Sequence, residues 1–219
     1  MTECILGLVA NTRDLGGLAG AHGRKLKRRR LIRSSSFAFL NDVRADAMTT
    51  ALGIGHYFDL RTEREITRDG GLNLLVARGW TWHRLPIQDQ LDLDDSEDKP
   101  LNVATPHPSL MRNYEEVVQQ IIACLMPSDV AVIACSLGKD RTGIVVALIL
   151  KWLGVSLSDT VEDFLCSNVQ LHRDADLLPP RWRSESREMT EVVPEICIAA
   201  FLAFDIRSLP DEQREDWFE

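Results

Sequence analysis

Between Leu110 and Leu125 the apolar residues Leu110, Met111, Tyr114, Val117, Val118, Ile121, Ile122 and Leu125 return every three or four positions, with Glu115, Glu116, Gln119 and Gln120 between them. That period lines the apolar side chains along one stripe and predicts an amphipathic helix. Pro127-Ser128-Asp129 ends it, and Val130 to Ala134 is a continuous apolar run, as expected of a strand covered on both faces. From Thr142 to Leu153 the chain is apolar almost throughout, which predicts a buried helix, and Gly154 stands where a helix C-terminal cap belongs. Ser158 reads as the N-cap of a further helix through Val161 and Phe164, with Asp159 and Glu162 near its start. A last helix is expected from Pro194 to about Arg207, since proline is tolerated in a first turn.

Upstream, Asn11 to Gly17 is dense in turn formers and Gly20 to Gly23 reads as a tight turn, so the first forty residues are expected to be loop and hairpin. His56 to Leu60 is a short apolar run followed by the charged stretch Arg61 to Arg68, which reads as a strand running out into a loop; Trp80 to Ile87 repeats the form. Residues 89–98 are too acidic to pack and are expected at the surface. Strands interleaved with helices give an α/β fold with a central, mostly parallel sheet flanked by helices. No Pro/Gly/Ser-rich linker or internal repeat divides the chain, so residues 1–219 are read as one domain.

With 45% hydrophobic and 26% charged residues, the chain has the composition of a globular protein with a sizeable core. Its formal charge of −8 opposes general nucleic-acid binding. Arg24, Lys25, Lys27, Arg28, Arg29, Arg30 and Arg33 form a basic block with two readings, a surface for an anionic partner or a solvated hairpin face. Cys4, Cys124, Cys135, Cys166 and Cys197 contain no C-x-x-C pair and no zinc-like spacing with histidine, which argues against a disulfide scaffold or structural metal. The five histidines are scattered and the tryptophans read as packing residues. The apolar stretch Cys4 to Ala10 is too short for a signal sequence and no run reaches membrane-spanning length, so no integral membrane association and a cytoplasmic location are expected. No metal or organic cofactor is implied.

Chemistry concentrates in Cys135-Ser136-Leu137-Gly138-Lys139-Asp140-Arg141-Thr142-Gly143, between the buried strand and the buried helix. A helix beginning near Arg141 offers unpaired N–H groups and roughly half a positive charge, so the loop before it suits an oxyanion. Helix N-termini and neighbouring cations also favour the thiolate of a cysteine. Cys135 is therefore the candidate nucleophile and Arg141 the candidate clamp, its planar fork matching two phosphoryl oxygens. Ser136, Leu137, Gly138, Lys139 and Asp140 complete the loop, Gly138 admitting a close backbone approach. A leaving alkoxide or phenolate needs a proton, for which Asp140, Asp59 and Asp89 are candidates. Thr142 is placed to hydrogen-bond the departing thiolate. A rhodanese-type sulfur carrier also uses a cysteine loop but explains the Gly-Lys-Asp-Arg-Thr-Gly run less well.

These residues resemble the protein-tyrosine-phosphatase superfamily, specifically its atypical bacterial and fungal branch of tyrosine and lipid phosphatases with an HCxxGKDRTG signature. Asn11 to Gly17 is similar to the branch's NFRDLGG segment, Leu31 to Ser34 to its L-x-R-S, and Phe58 to Glu65 to its DLR-x-x-x-E strand end; Tyr114 and Asp163 to Asn168 match later helices. The resemblance implies a cysteine-phosphatase fold, Cys135 as nucleophile, Arg141 as phosphate binder, Asp140 as general acid and Asp59 as supporting acid. Arg13 and Asp14 join Thr142 as supporting residues, and Lys139 matches a position the branch associates with phosphoinositide headgroups. It further implies a phosphorylated protein, lipid or small-molecule substrate, foremost phosphotyrosine, with phosphoserine, phosphothreonine or phosphoinositide as extensions. Two departures stand out: Ala134 replaces the histidine that precedes the nucleophile, and Leu137 replaces a small residue, which narrows or reshapes the pocket. They keep two alternatives in view, a phosphatase for a small phosphorylated metabolite and a phosphate-binding pseudophosphatase.

Overall fold

The computed structural model describes residues 7–87, 108–126, 128–180, 182–183, 191–205, 207 and 209–219. Its centre is a sheet of five strands, β1 (Arg13–Asp14), β2 (Leu31–Ser34), β3 (His56–Asp59), β4 (Thr81–Arg84) and β5 (Ala131–Ala134), in the order β1-β2-β5-β3-β4. β1 pairs antiparallel with β2, and every other neighbouring pair is parallel. Parallel strands need long crossovers. Here these carry α1 (Asp42–Leu52), α2 (Glu63–Asp69), α3 (Asn73–Val76) and α4 (Pro108–Cys124), and after the sheet come α5 (Asp140–Trp152), α6 (Leu157–Arg173) and α7 (Pro194–Ala203).

Alternation along the central strands sorts side chains into two layers. Leu31, Phe58, Ala131 and Ile133 join Val117, Val118, Ile121 and Ile122 of α4 and the apolar length of α5 in one core cluster. Ile32, Tyr57, Val132 and Ala134 face the other way, onto Ala45, Met48 and Leu52 of α1 and Leu75 of α3. β5 is thus buried on both faces, which is why it reads as an unbroken apolar run. No described helix is long and apolar enough to cross a membrane.

The expected helices of the second half are present with shifted ends. α6 is capped two residues earlier than expected because Ser156, not Ser158, takes the Asp159 N–H on its side chain, at 3.1 Å. α7 stops at Ala203 rather than near Arg207, where Phe204 turns to extended backbone and buries. The charged stretch after β3 is largely helix, not loop: Thr62 and Glu65 form a capping box that nucleates α2. Part of the basic block is engaged by the chain itself, while Lys25, Arg28 and Arg29 are exposed. Arg24 pairs with Glu215, the Lys27 ammonium donates to the Asp216 carbonyl at 2.8 Å, and Arg30 lies 4.5 Å over the ring of Trp217.

Candidate active site

Ser34 at the end of β2 and Asp59 at the end of β3 both stand in register with Ala134, the last residue of β5. Cys135 therefore leaves the sheet at its C-terminal edge between two strand ends, the place where open α/β sheets present their ligand crevice. The loop returns at once into α5, whose first residue is Asp140. The two parts that would polarise a thiol and bind an oxyanion, strand end and helix start, are joined by only Cys135 to Lys139.

Cys135 is 3% exposed. Gly138 turns the loop with φ of +67°, and a Cβ there would overlap the carbonyl oxygen of Ser34, so this glycine is required twice over. Leu137 packs in a small buried cluster with Ala10, Leu171 and Leu178. Ala134 points into the layer that holds Tyr57 and Phe37, where it is fully buried.

The Arg141 guanidinium is held by Glu65 from α2 in a forked pair, Nη1 to Oε2 at 2.7 Å and Nη2 to Oε1 at 2.6 Å. Nη1 also reaches the carbonyls of Leu60 and Ile87, at 3.3 and 3.4 Å. The same carboxylate accepts from the Ser136 hydroxyl at 2.6 Å and from the Thr62 N–H at 2.8 Å. Burial pushes the Glu65 carboxyl up, but Arg141, Ser136 and Thr62 outweigh it and bring it down to about 2. Glu65 was absent from the expected site residues, yet its signal was present, the T-x-x-E spacing from Thr62 to Glu65 at the end of a strand.

Asp140 is half exposed at the start of α5, with the Lys139 ammonium 3.6 Å from its carboxylate. Thr142 is fully buried and its hydroxyl finds no hydrogen-bond partner among the described residues. Asp59 is also fully buried, and both its oxygens are taken: Arg61 donates from Nε at 2.9 Å and Nη2 at 2.7 Å, and Trp82 donates from Nε1 at 3.2 Å. Asp89 lies outside the described residues, as do Cys4 and the acidic segment 89–98.

Behind the loop, Asp163 of α6 sits between two arginines, with Arg13 Nε at 2.7 Å and Arg33 Nη1 at 2.6 Å, all three nearly or wholly buried. Burial pushes the Asp163 carboxyl up, but Arg13 and Arg33 overcome it and hold the group below the usual carboxylate range. Burial and the neighbouring Arg33 lower Arg13 to about 10. Arg33 then reaches the loop itself, Nη2 donating to the Gly138 carbonyl at 2.8 Å. Asp14, the next residue of β1, points to the opposite side and accepts from the N–H groups of Gly16 and Arg29, both at 2.9 Å. It shapes the hairpin between β1 and β2. Among the described residues no three His, Cys, Asp or Glu side chains are grouped to hold a metal ion.

The model of the tyrosine phosphatase family matches residues 6–208. A Cupriavidus necator protein named as a tyrosine-protein phosphatase is 28% identical over 170 residues, 73% of this chain and 61% of that protein's length. The triple specificity protein phosphatase PtpB of Mycobacterium tuberculosis is 27% identical, covering 85% of this chain and 76% of its own. Among solved structures, the catalytic core of the PP-IP phosphatase Siw14 of S. cerevisiae aligns over 90% of this chain and 94% of its own, with 14% identity and a TM-score of 0.45.

Proposed function

Because the chain belongs to the tyrosine phosphatase family, we propose that it hydrolyses phosphomonoesters through a cysteinyl-phosphate on Cys135, with phosphotyrosine as the foremost substrate. The observation that carries this reading is the forked Arg141–Glu65 pair at the start of α5, six residues after a buried Cys135. A guanidinium has five N–H donors on two forked edges. Glu65 takes the Nη1–Nη2 edge and so fixes the plane of the group, and we assign the Arg141 guanidinium as the clamp for the phosphoryl oxygens. The N-terminal N–H groups of α5 supply further donors where negative charge grows in the transition state.

In the first step the Cys135 thiolate attacks phosphorus, the P–O bond to the leaving group breaks, and Asp140 gives that oxygen its proton. In the second, water attacks the phosphorus of the thiophosphate bond, Asp140 takes a proton from the water, and the Cys135 thiolate leaves with inorganic phosphate as the other product. Asp140 is suited to both roles because it is half exposed at the mouth of the loop. Asp59, with both oxygens bound, serves as an anchor for Arg61 and the end of β3. The Thr142 hydroxyl, with no partner among the described residues, steadies the departing thiolate.

The test is phosphate release, with a metal chelator present, from an aryl phosphate, phosphotyrosine, phosphoserine and phosphothreonine peptides, phosphoinositides and small metabolite phosphates. Turnover that survives chelation and is abolished by Cys135→Ser is expected, with the phosphotyrosine peptide best among the biological substrates. Orthovanadate binding without turnover of any substrate would replace the enzyme with a pseudophosphatase, and a metabolite phosphate as best substrate would replace the phosphotyrosine assignment.

A further inference from the structure

Asn11 lies in the turn before β1, fully buried, with φ of +55°, a left-handed conformation that asparagine tolerates better than most residues. Its side-chain amide nitrogen donates to two consecutive carbonyls of the loop, Leu137 at 2.9 Å and Gly138 at 3.0 Å. Its side-chain oxygen accepts from Arg13 Nη1 at 2.6 Å, and its backbone N–H donates to the Asp174 carboxylate at 3.0 Å. Arg33 continues the grip from the same buried network, Nη2 donating to the carbonyls of Gly138 at 2.8 Å and Lys139 at 3.3 Å. Three successive loop carbonyls are thus drawn towards Asn11 and Arg33.

All described peptide bonds are trans. In a planar trans peptide the carbonyl of one residue and the N–H of the next point in opposite directions. Holding the carbonyls of Leu137, Gly138 and Lys139 on one side therefore turns the N–H groups of Gly138, Lys139 and Asp140 to the other. We propose that Asn11 is a positioning residue that aims these N–H groups at the phosphoryl oxygens, with Arg33 as its partner and Arg13 fixing which end of the Asn11 carboxamide faces the loop. The role rests on the phosphatase reading for its ligand, while the grip on the loop stands on the hydrogen bonds alone. The position needs an acceptor for Arg13 and a donor for the loop on one short side chain. Aspartate supplies the first without the second, and would set a carboxylate against two carbonyl oxygens.

The experiment compares Asn11→Asp and Asn11→Gly with the unaltered protein. Glycine adopts φ of +55° without strain, so it keeps the backbone and removes only the grip. Three readouts are taken: the backbone amide NMR signals of Gly138, Lys139 and Asp140 in the free protein, the dissociation constant for orthovanadate, and kcat/KM on an aryl phosphate. In Asn11→Asp the three amide signals shift, and vanadate affinity and kcat/KM fall together by on the order of 10²-fold, the loss expected when oxyanion donors are misaimed. Asn11→Gly shows a smaller fall in both. A side chain that only fills space gives the reverse order, because aspartate matches the shape of asparagine and glycine leaves a hole; that order would overturn the proposal. So would unshifted loop amide signals in Asn11→Asp. If the unaltered protein neither binds vanadate nor turns over substrate while the amide signals still shift in Asn11→Asp, the grip on the loop is upheld and the phosphatase reading is what fails.

Discussion

One carboxylate does three jobs in this molecule. Glu65 completes the capping box of α2, receives the Ser136 hydroxyl and fixes the Arg141 guanidinium. Glutamine at this position can still reach the Thr62 N–H, so Glu65→Gln leaves the cap largely in place and removes the charge that orients Arg141. We expect kcat/KM to fall about 10²-fold, the scale of a misplaced binding group, with the loss checked by steady-state kinetics on an aryl phosphate. The pH dependence of stability follows from the same residue. Its folded value of about 2 lies below the ordinary 4.5, so its contribution is full above about pH 4.5 and is lost as pH falls towards 2. The stability difference between the unaltered protein and Glu65→Gln, measured by urea unfolding across that range, should shrink towards acid. The placement of Cys135, Gly138 and Arg141 between a buried strand and a buried helix was legible in the sequence because local spacing alone defines it. The partners of Glu65 and Asn11 were not, because they lie 76 and 126 positions away and only the folded sheet edge brings them together.

Elements with a strong period were legible as well. α4, β5 and α5 each carry one unambiguous pattern, a stripe, a solid apolar run and a solid apolar helix. α1 was hidden because only Ala45, Met48 and Leu52 of its eleven residues are buried, among acidic, basic and hydroxyl side chains. α2 was hidden by its charges, since a helix of seven residues with one buried position has almost no stripe to read. α6 was seen but started too late, because two serines compete for its cap and only the contact of Ser156 with the Asp159 N–H decides between them. Ser156→Ala should therefore cost about 1 kcal/mol in urea unfolding, and Ser158→Ala almost nothing. Phosphatase activity should be unchanged in both at temperatures where the protein is folded, as the cap lies about two turns of helix before Asp163.

Across the whole molecule, the Arg13–Asp163–Arg33 group ties β1, β2 and α6 together behind the loop. Two cations share one carboxylate with almost no water around them. Asp163→Asn removes the compensation for both, and a loss of about 3 to 5 kcal/mol is expected, seen as a fall of about 10 °C in Tm. The sign with pH follows from Asp163 being held below the usual carboxylate range: its contribution is present above that range and is lost as pH falls through the folded value. The gap in Tm between the unaltered protein and Asp163→Asn should thus narrow in acid. The group also has a consequence for the order in which the chain takes shape. Arg13 and Asp163 stand 150 positions apart and Arg33 and Asp163 stand 130 apart, so their meeting closes some of the longest loops in the fold, which is entropically slow. A chain growing from its N-terminus exposes Cys135 and Arg141 before α6 exists to anchor what shapes the loop around them. Cys135 is present early, and the bonds that shape the loop around it arrive only when the two ends of the fold have found each other.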